Sequence, residues 1–203
     1  MNKISMSKVR AYHHGNLRQS LLEAAVELIA ESGAAGFTLR EVARRAGVSH
    51  NAPYRHFRDK DDLLGAVAAQ GFEELTLAMT SAAGRHRGSF ERLKSSGLAY
   101  VEFALRRPQH FAIMFDAALP DTGGAAQTAG GQAFETLLGF IEECQKDARL
   151  PPGDPLQLAC VAWSLVHGIA KLAIAQHLPV STEREVIEFT RFALDSTFHG
   201  PPD

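Results

Sequence analysis

Residues 37–57 read FTLREVARRAGVSHNAPYRHF, and this stretch constrains the fold more than any other. Thr38 with Glu41 three residues later forms a capping box, in which each side chain satisfies a backbone N–H at a helix start. The spacing predicts a helix from about Thr38 to Ala46. Leu39, Val42, Ala43 and Ala46 make its apolar face, with Arg40, Glu41, Arg44 and Arg45 on the other side. Gly47 supplies a left-handed residue that ends it. Val48 plugs the elbow and Ser49 caps a second helix, whose first turn carries His50, Asn51, Ala52 and Pro53. That helix is predicted to continue through Tyr54, Arg55 and His56 to Phe57, which closes the core. Proline fits in the first turn because those N–H groups have little intrahelical bonding to lose. Two short helices around a glycine elbow form a helix-turn-helix, and the second offers donors, acceptors and positive charge at the end that meets base edges and phosphates in such motifs.

The charge distribution points the same way. The 203-residue chain has a net charge of −2, but residues 1–60 carry ten Lys/Arg against five Asp/Glu, and the remainder eleven against eighteen. A basic head on an acidic body fits a polyanionic partner for the head alone. Lys3, Lys8 and Arg10 form a basic N-terminal arm able to reach phosphates or a minor groove. His13 and His14 point in different directions on any regular element and lack further ligands, so no metal site is expected. Cys144 and Cys160, the two cysteines, are too few for a disulfide framework or structural zinc and read as small buried hydrophobes. The N-terminus has no signal-peptide segment. Polar residues including Ser164, His167 and Lys171 interrupt the one long apolar run, Leu158–Ala175, so no membrane span is expected. The chain is read as cytoplasmic.

The rest of the sequence is helical throughout, with no strand alternation. A helix opens with an Asn16–Gln19 capping box and ends at Gly33. A long helix runs from a cap at Asp59 to about Ala83, with Asp61 and Asp62 in its first turn. Ser89 caps a helix to about Arg107, and Pro108 starts a short helix carrying Phe111, Met114 and Phe115. Ala117–Gly131 is glycine-rich and reads as a mobile loop, followed by a helix from about Gln132 to Ala148. Asp154 caps a helix to about Gln176, and Thr182 with Glu185 caps the last. These final two helices are apolar over more of their circumference than a small body covers. They are therefore expected to pack on symmetry mates in a homodimeric four-helix bundle, with Leu165, Leu172, Phe189 and Phe192 in the interface. The fold class is all-α, about nine helices in all: a helix-turn-helix domain at 15–75, motif 38–57, and an effector-binding and dimerisation domain at 76–203.

From His14 to about Leu75 the chain resembles the N-terminal domain of TetR-family transcriptional regulators, through NLRQSLLEAAVELIAESGAAGFT, TLREVARRAGVS, YRHF and DKDDLL. The resemblance implies double-stranded operator DNA as partner, with phosphate contacts from Thr38, Tyr54 and Lys60 and base-edge contacts near His50, Asn51 and Ala52. Arg40, Ser49, Arg55 and His56 complete the expected DNA-binding set. His50 departs from the small or basic residues expected there, so base preference does not carry over from relatives. A second resemblance, through RPQHFAIMF and AWSLVHG, is to the C-terminal domain of a TetR subgroup marked by tryptophan, histidine and glycine, here Trp163, His167 and Gly168. It implies a small-molecule effector, with a pocket expected from Phe103, Phe111, Met114, Phe115, Trp163 and His167. Ordinary core packing for Trp163, and for His167 a buried imidazole bonded to a neighbouring carbonyl, explain these two residues equally well.

The resulting expectation is a ligand-responsive repressor that binds a palindromic operator as a homodimer, without cofactor or catalytic residues. The competing readings are a small helical enzyme or a thiol-based redox switch using Cys160 and His167. Neither is supported by a nucleophile–base–acid order, a phosphate loop or metal spacing.

Overall fold

A computed structural model describes residues 17–116 and 124–198. The chain divides between Asp59 and Lys60 into two compact units, and all regular structure among the described residues is helical. The expected boundary at 75/76 falls inside a helix that runs unbroken from Lys60 to Ala83.

In the first unit α1 (Leu17–Ser32) packs on α2 (Leu39–Arg45), which in turn contacts a single 3-10 turn at Pro53–Arg55. The Thr38–Glu41 capping box is present, with Thr38 N–H donating to Glu41 Oε2 at 2.8 Å and Glu41 N–H to Thr38 Oγ1 at 3.3 Å. Gly47 has φ 70°, a conformation that costs any residue with a Cβ. Leu21, Leu22, Ala25, Leu28, Val42, Ala43 and Phe57 are buried. Arg45 bridges from α2 to Glu27 and Glu31 on α1 at 3.2 and 2.6 Å, and holds the Glu31 carboxyl below the usual range.

The second helix of the motif is not a continuous α-helix to Phe57: residues 50–52 are turns and only Pro53–Arg55 is helical, as 3-10. Ala52, Arg55 and His56 N–H groups donate to the carbonyls of Ser49, Ala52 and Pro53. Pro53 has no N–H to donate to Ser49, so the α-helical bond that would start the ladder is missing and the segment winds tighter.

The second unit holds α3 (Lys60–Ala83), α4 (Ser89–Arg106), α5 (Pro108–Met114), α6 (Ala125–Lys146), α7 (Pro155–Ile174) and α8 (Glu183–Thr197). Helix α3 packs on α4, α5 and α6, while α4 also meets α6, α7 and α8. Ion pairs tie α4 to its neighbours: Arg92 to Glu143 on α6 at 2.6 Å, and Lys94 to Asp195 on α8 at 2.9 Å. Asp154 caps α7 through the Leu156 N–H, and Thr182 with Glu185 boxes the start of α8.

Three further readings change. Ser89 is the first residue of α4 rather than its cap, which is Gly88. Helix α6 begins at Ala125, so residues 125–131 of the expected loop are helical. Ala129 and Ala133 bury there, and Gly130 lets α6 approach α3 so closely that a Cβ would lie 3.3 Å from the Phe72 ring. That packing offsets the roughly 1 kcal/mol by which glycine weakens a helix interior. Cys144 is buried as expected, but Cys160 is exposed on α7. The Asn16–Gln19 box, His13–His14, the basic arm and residues 117–123 lie outside the described residues.

Helix α7 is long and apolar enough to cross a membrane by length and composition, yet it packs against α4, α6 and α8. Its uncovered surface includes Leu156, Val161, Leu172 and Ile174, and α8 adds Phe189 and Phe192, the last 67% exposed.

Candidate functional site

In the first unit, the exposed residues around the elbow are Thr38, Arg40, Arg44, Ser49, His50, Asn51, Tyr54, Arg55 and His56. Eight of the ten expected DNA-facing positions are thus on this surface. Ala52 is buried instead, and Lys60 belongs to the second unit as the first residue of α3. Arg45, committed to Glu27 and Glu31, holds α2 on α1, so the two exposed arginines of α2 are Arg40 and Arg44. Arg18 lies over the Phe57 ring, 5.5 Å from its centroid, and covers the residue that ends the motif.

The second unit contains a cavity of about 230 Å³ walled by α3, α4, α6, α7 and α8, with Phe115 at the end of α5. Phe72, Leu75 and Met79 come from α3, Phe134 and Leu137 from α6, and Trp163 and Val166 from α7. None of the lining side chains is charged. Of the six residues expected in a pocket, Phe115 and Trp163 line it. Phe111 and His167 stand behind Phe115, with ring centroids 5.0 and 4.5 Å from it. Phe103 and Met114 are buried in the core and do not line the cavity.

One polar residue of the wall is not among the six expected from the sequence. Tyr100, on α4, lines the cavity, and its hydroxyl lies 2.9 Å from His167 Nδ1 while accepting a hydrogen bond from Trp163 Nε1 at 3.3 Å. Burial raises the Tyr100 phenol above its ordinary value. Burial, together with Lys171, lowers His167. Both groups are therefore neutral at pH 7. Tyr100 follows Leu93 by seven and Ser96 and Gly97 by four and three, all of them lining residues. That helical stripe, with small residues opening the space in front of a tyrosine, was the available signal.

No group of three or more His, Cys, Asp or Glu able to hold a metal occurs among the described residues. The Cys144 thiol is pushed up by burial to about 11, which keeps it protonated and unreactive.

Comparison with known proteins gives two family matches: residues 21–67 to bacterial regulatory proteins of the tetR family, and residues 93–197 to the tetracyclin repressor-like C-terminal domain. A protein of unknown function from Rhodococcus sp. RHA1 is 34% identical, covers 94% of this chain and 99% of its own, and superimposes with a TM-score of 0.81. A bacterial regulatory protein of the tetR family from Rhodococcus RHA1 is 21% identical over 92% of this chain and 98% of its own, with a TM-score of 0.72. AibR, solved with isovaleryl coenzyme A and operator DNA, is 19% identical over 92% and 99%, with a TM-score of 0.71. With its capped elbow matched by the family's N-terminal signature and over half its length by the C-terminal one, this chain belongs to the TetR family and is a DNA-binding transcriptional regulator.

Proposed function

We propose that the protein is a ligand-responsive repressor that binds a palindromic operator as a homodimer and releases it when a small molecule occupies the body cavity. The observation that carries this reading is the apolar cavity, one wall of which is α3. That helix begins at the residue following the DNA-binding unit, so a ligand that favours one position of α3 over another biases both sites through one element. Thr38, Tyr54 and Lys60 bind phosphate in this reading, with Arg40, Arg55 and His56 adding donors. His50 and Asn51 reach base edges after Ser49, and the buried Ala52 supports them from behind.

The uncovered apolar residues of α7 and α8 support the dimer. Leu172, Phe189 and Phe192 are exposed and Leu165 is half-buried, and a two-fold bundle would remove this surface from water. The spacing of Trp163, His167 and Gly168 on α7 supports the tryptophan-histidine-glycine subgroup. AibR was solved with an acyl-coenzyme A and operator DNA, and by analogy a cytoplasmic regulator with a metabolite as effector is the reading adopted for this chain.

Gel shift of labelled promoter fragments across a salt series tests the reading. Sequence-selective retention with log affinity falling linearly against log salt is expected, and salt-independent or absent binding refutes it.

A further inference from the structure

The cavity's chemistry narrows the effector, and the narrowing rests on the reading of that cavity as the effector site. An engineered apolar cavity of about 150 Å³ stays dry and takes benzene. At about 230 Å³, this one accommodates a molecule about half as large again, such as a fused bicyclic ring or a branched chain of similar bulk. A carboxylate, phosphate or ammonium group buried here would meet no charged lining side chain to compensate its desolvation. Ser96 Oγ, which also lines the cavity, donates to the Leu93 carbonyl at 2.7 Å and so can only accept from a ligand.

The Tyr100 hydroxyl differs in being held by two side-chain partners. In one neutral tautomer of His167, Nδ1 accepts the tyrosine proton, and the oxygen, already bonded by Trp163, keeps one lone pair. In the other, Nδ1–H donates to the oxygen and the tyrosine proton is free for another acceptor. The relay thus meets one neutral oxygen function, as acceptor for a hydroxyl or as donor to a carbonyl.

We propose that the effector is an uncharged, largely apolar molecule of bicyclic size bearing a single hydroxyl or carbonyl group, and that Tyr100, set by His167 and Trp163, is the residue that selects it. His167 acts through Tyr100 and is a positioning residue. A free carboxylate in the cavity would meet no charged lining side chain, so an anionic effector is expected to bind more weakly than a neutral one.

Calorimetric titration of the full chain with naphthalene, naphthol and naphthoate tests this. Naphthol is expected to bind about tenfold more tightly than naphthalene, the effect of one net hydrogen bond, and naphthoate at least about a hundredfold more weakly than naphthol. Tyr100→Phe, checked for an unaltered circular-dichroism spectrum, should bring naphthol down to the naphthalene level. Naphthoate binding as well as naphthol overturns the inference, and so does a naphthol preference that survives Tyr100→Phe. If that variant does not fold, the wild-type series still decides the ligand class. Binding of naphthalene without any preference for the oxygen defeats this inference alone, whereas failure of all three compounds to bind defeats the effector-cavity reading as well.

Discussion

Replacing Phe192 with aspartate separates the dimer surface from the fold of the single chain. A phenylalanine side chain presents roughly 200 Å² when free, and Phe192 is 67% exposed on α8, so about 130 Å² per copy is available to a partner. At roughly 25 cal/mol per Å², full coverage contributes about 3 kcal/mol per copy and about 6 kcal/mol to a symmetric dimer. Since every 1.4 kcal/mol is a factor of ten, losing it raises the dimer dissociation constant by about four orders of magnitude. Two aspartates facing each other in an apolar bundle add a desolvation penalty to that loss. Sedimentation velocity at micromolar concentration is the assay. The wild type should run as a dimer and Phe192→Asp as a monomer of unchanged helical content, because the residue supports little within its own chain. A variant that stays dimeric refutes the α7–α8 interface. One that loses its helical signal refutes the claim that Phe192 faces a partner.

On the DNA face, Lys60→Ala should weaken binding to all sequences and lower the salt slope by about one, while Asn51→Ala should cost about 1–3 kcal/mol on the preferred site and relax base preference; equal losses on every sequence refute the division. His167→Ala should blunt induction in a reporter assay and leave effector-free operator affinity nearly intact; unchanged induction, or operator binding lost without effector, would mark it as purely structural. His110 is buried with Nε2 unpartnered, and burial lowers its pKa below the usual 6.5 despite the opposing pull of Glu74. The unfolded chain therefore takes up a proton first as the pH falls. Stability should be level above about pH 7 and decline below pH 6.5 by up to about 1.4 kcal/mol per unit from this group, with His167 acting in the same direction. Urea midpoints at pH 7 and pH 5.5 should show a shallower decline in His110→Leu, and identical slopes would refute the assignment.

Local signals in the sequence decided the helix starts and stops. The Thr38–Glu41 and Thr182–Glu185 boxes, the Asp154 cap and left-handed Gly33 and Gly47 all occupy the roles their spacing predicts, because each depends on residues within four of itself. The resemblance of the N-terminal blocks carried the family and the all-helical fold on the same footing. Even local reasoning failed where two local effects compete: Pro53 was compatible with the first turn of an α-helix, but its missing donor left a 3-10 turn. At residues 125–131 glycine content pointed to a loop, whereas burial of Ala129 and Ala133 and the approach of Gly130 to Phe72 make it helix. The cavity was the least legible part. Aromatic residues near Trp163 were recognised as a group, but whether Phe103 or Tyr100 of α4 faces the space is decided by how that helix turns against four others. Periodicity shows which residues share a face of one helix; only the packing of α3, α4, α6, α7 and α8 determines which faces meet, and so places Tyr100 at the wall and Phe103 in the core.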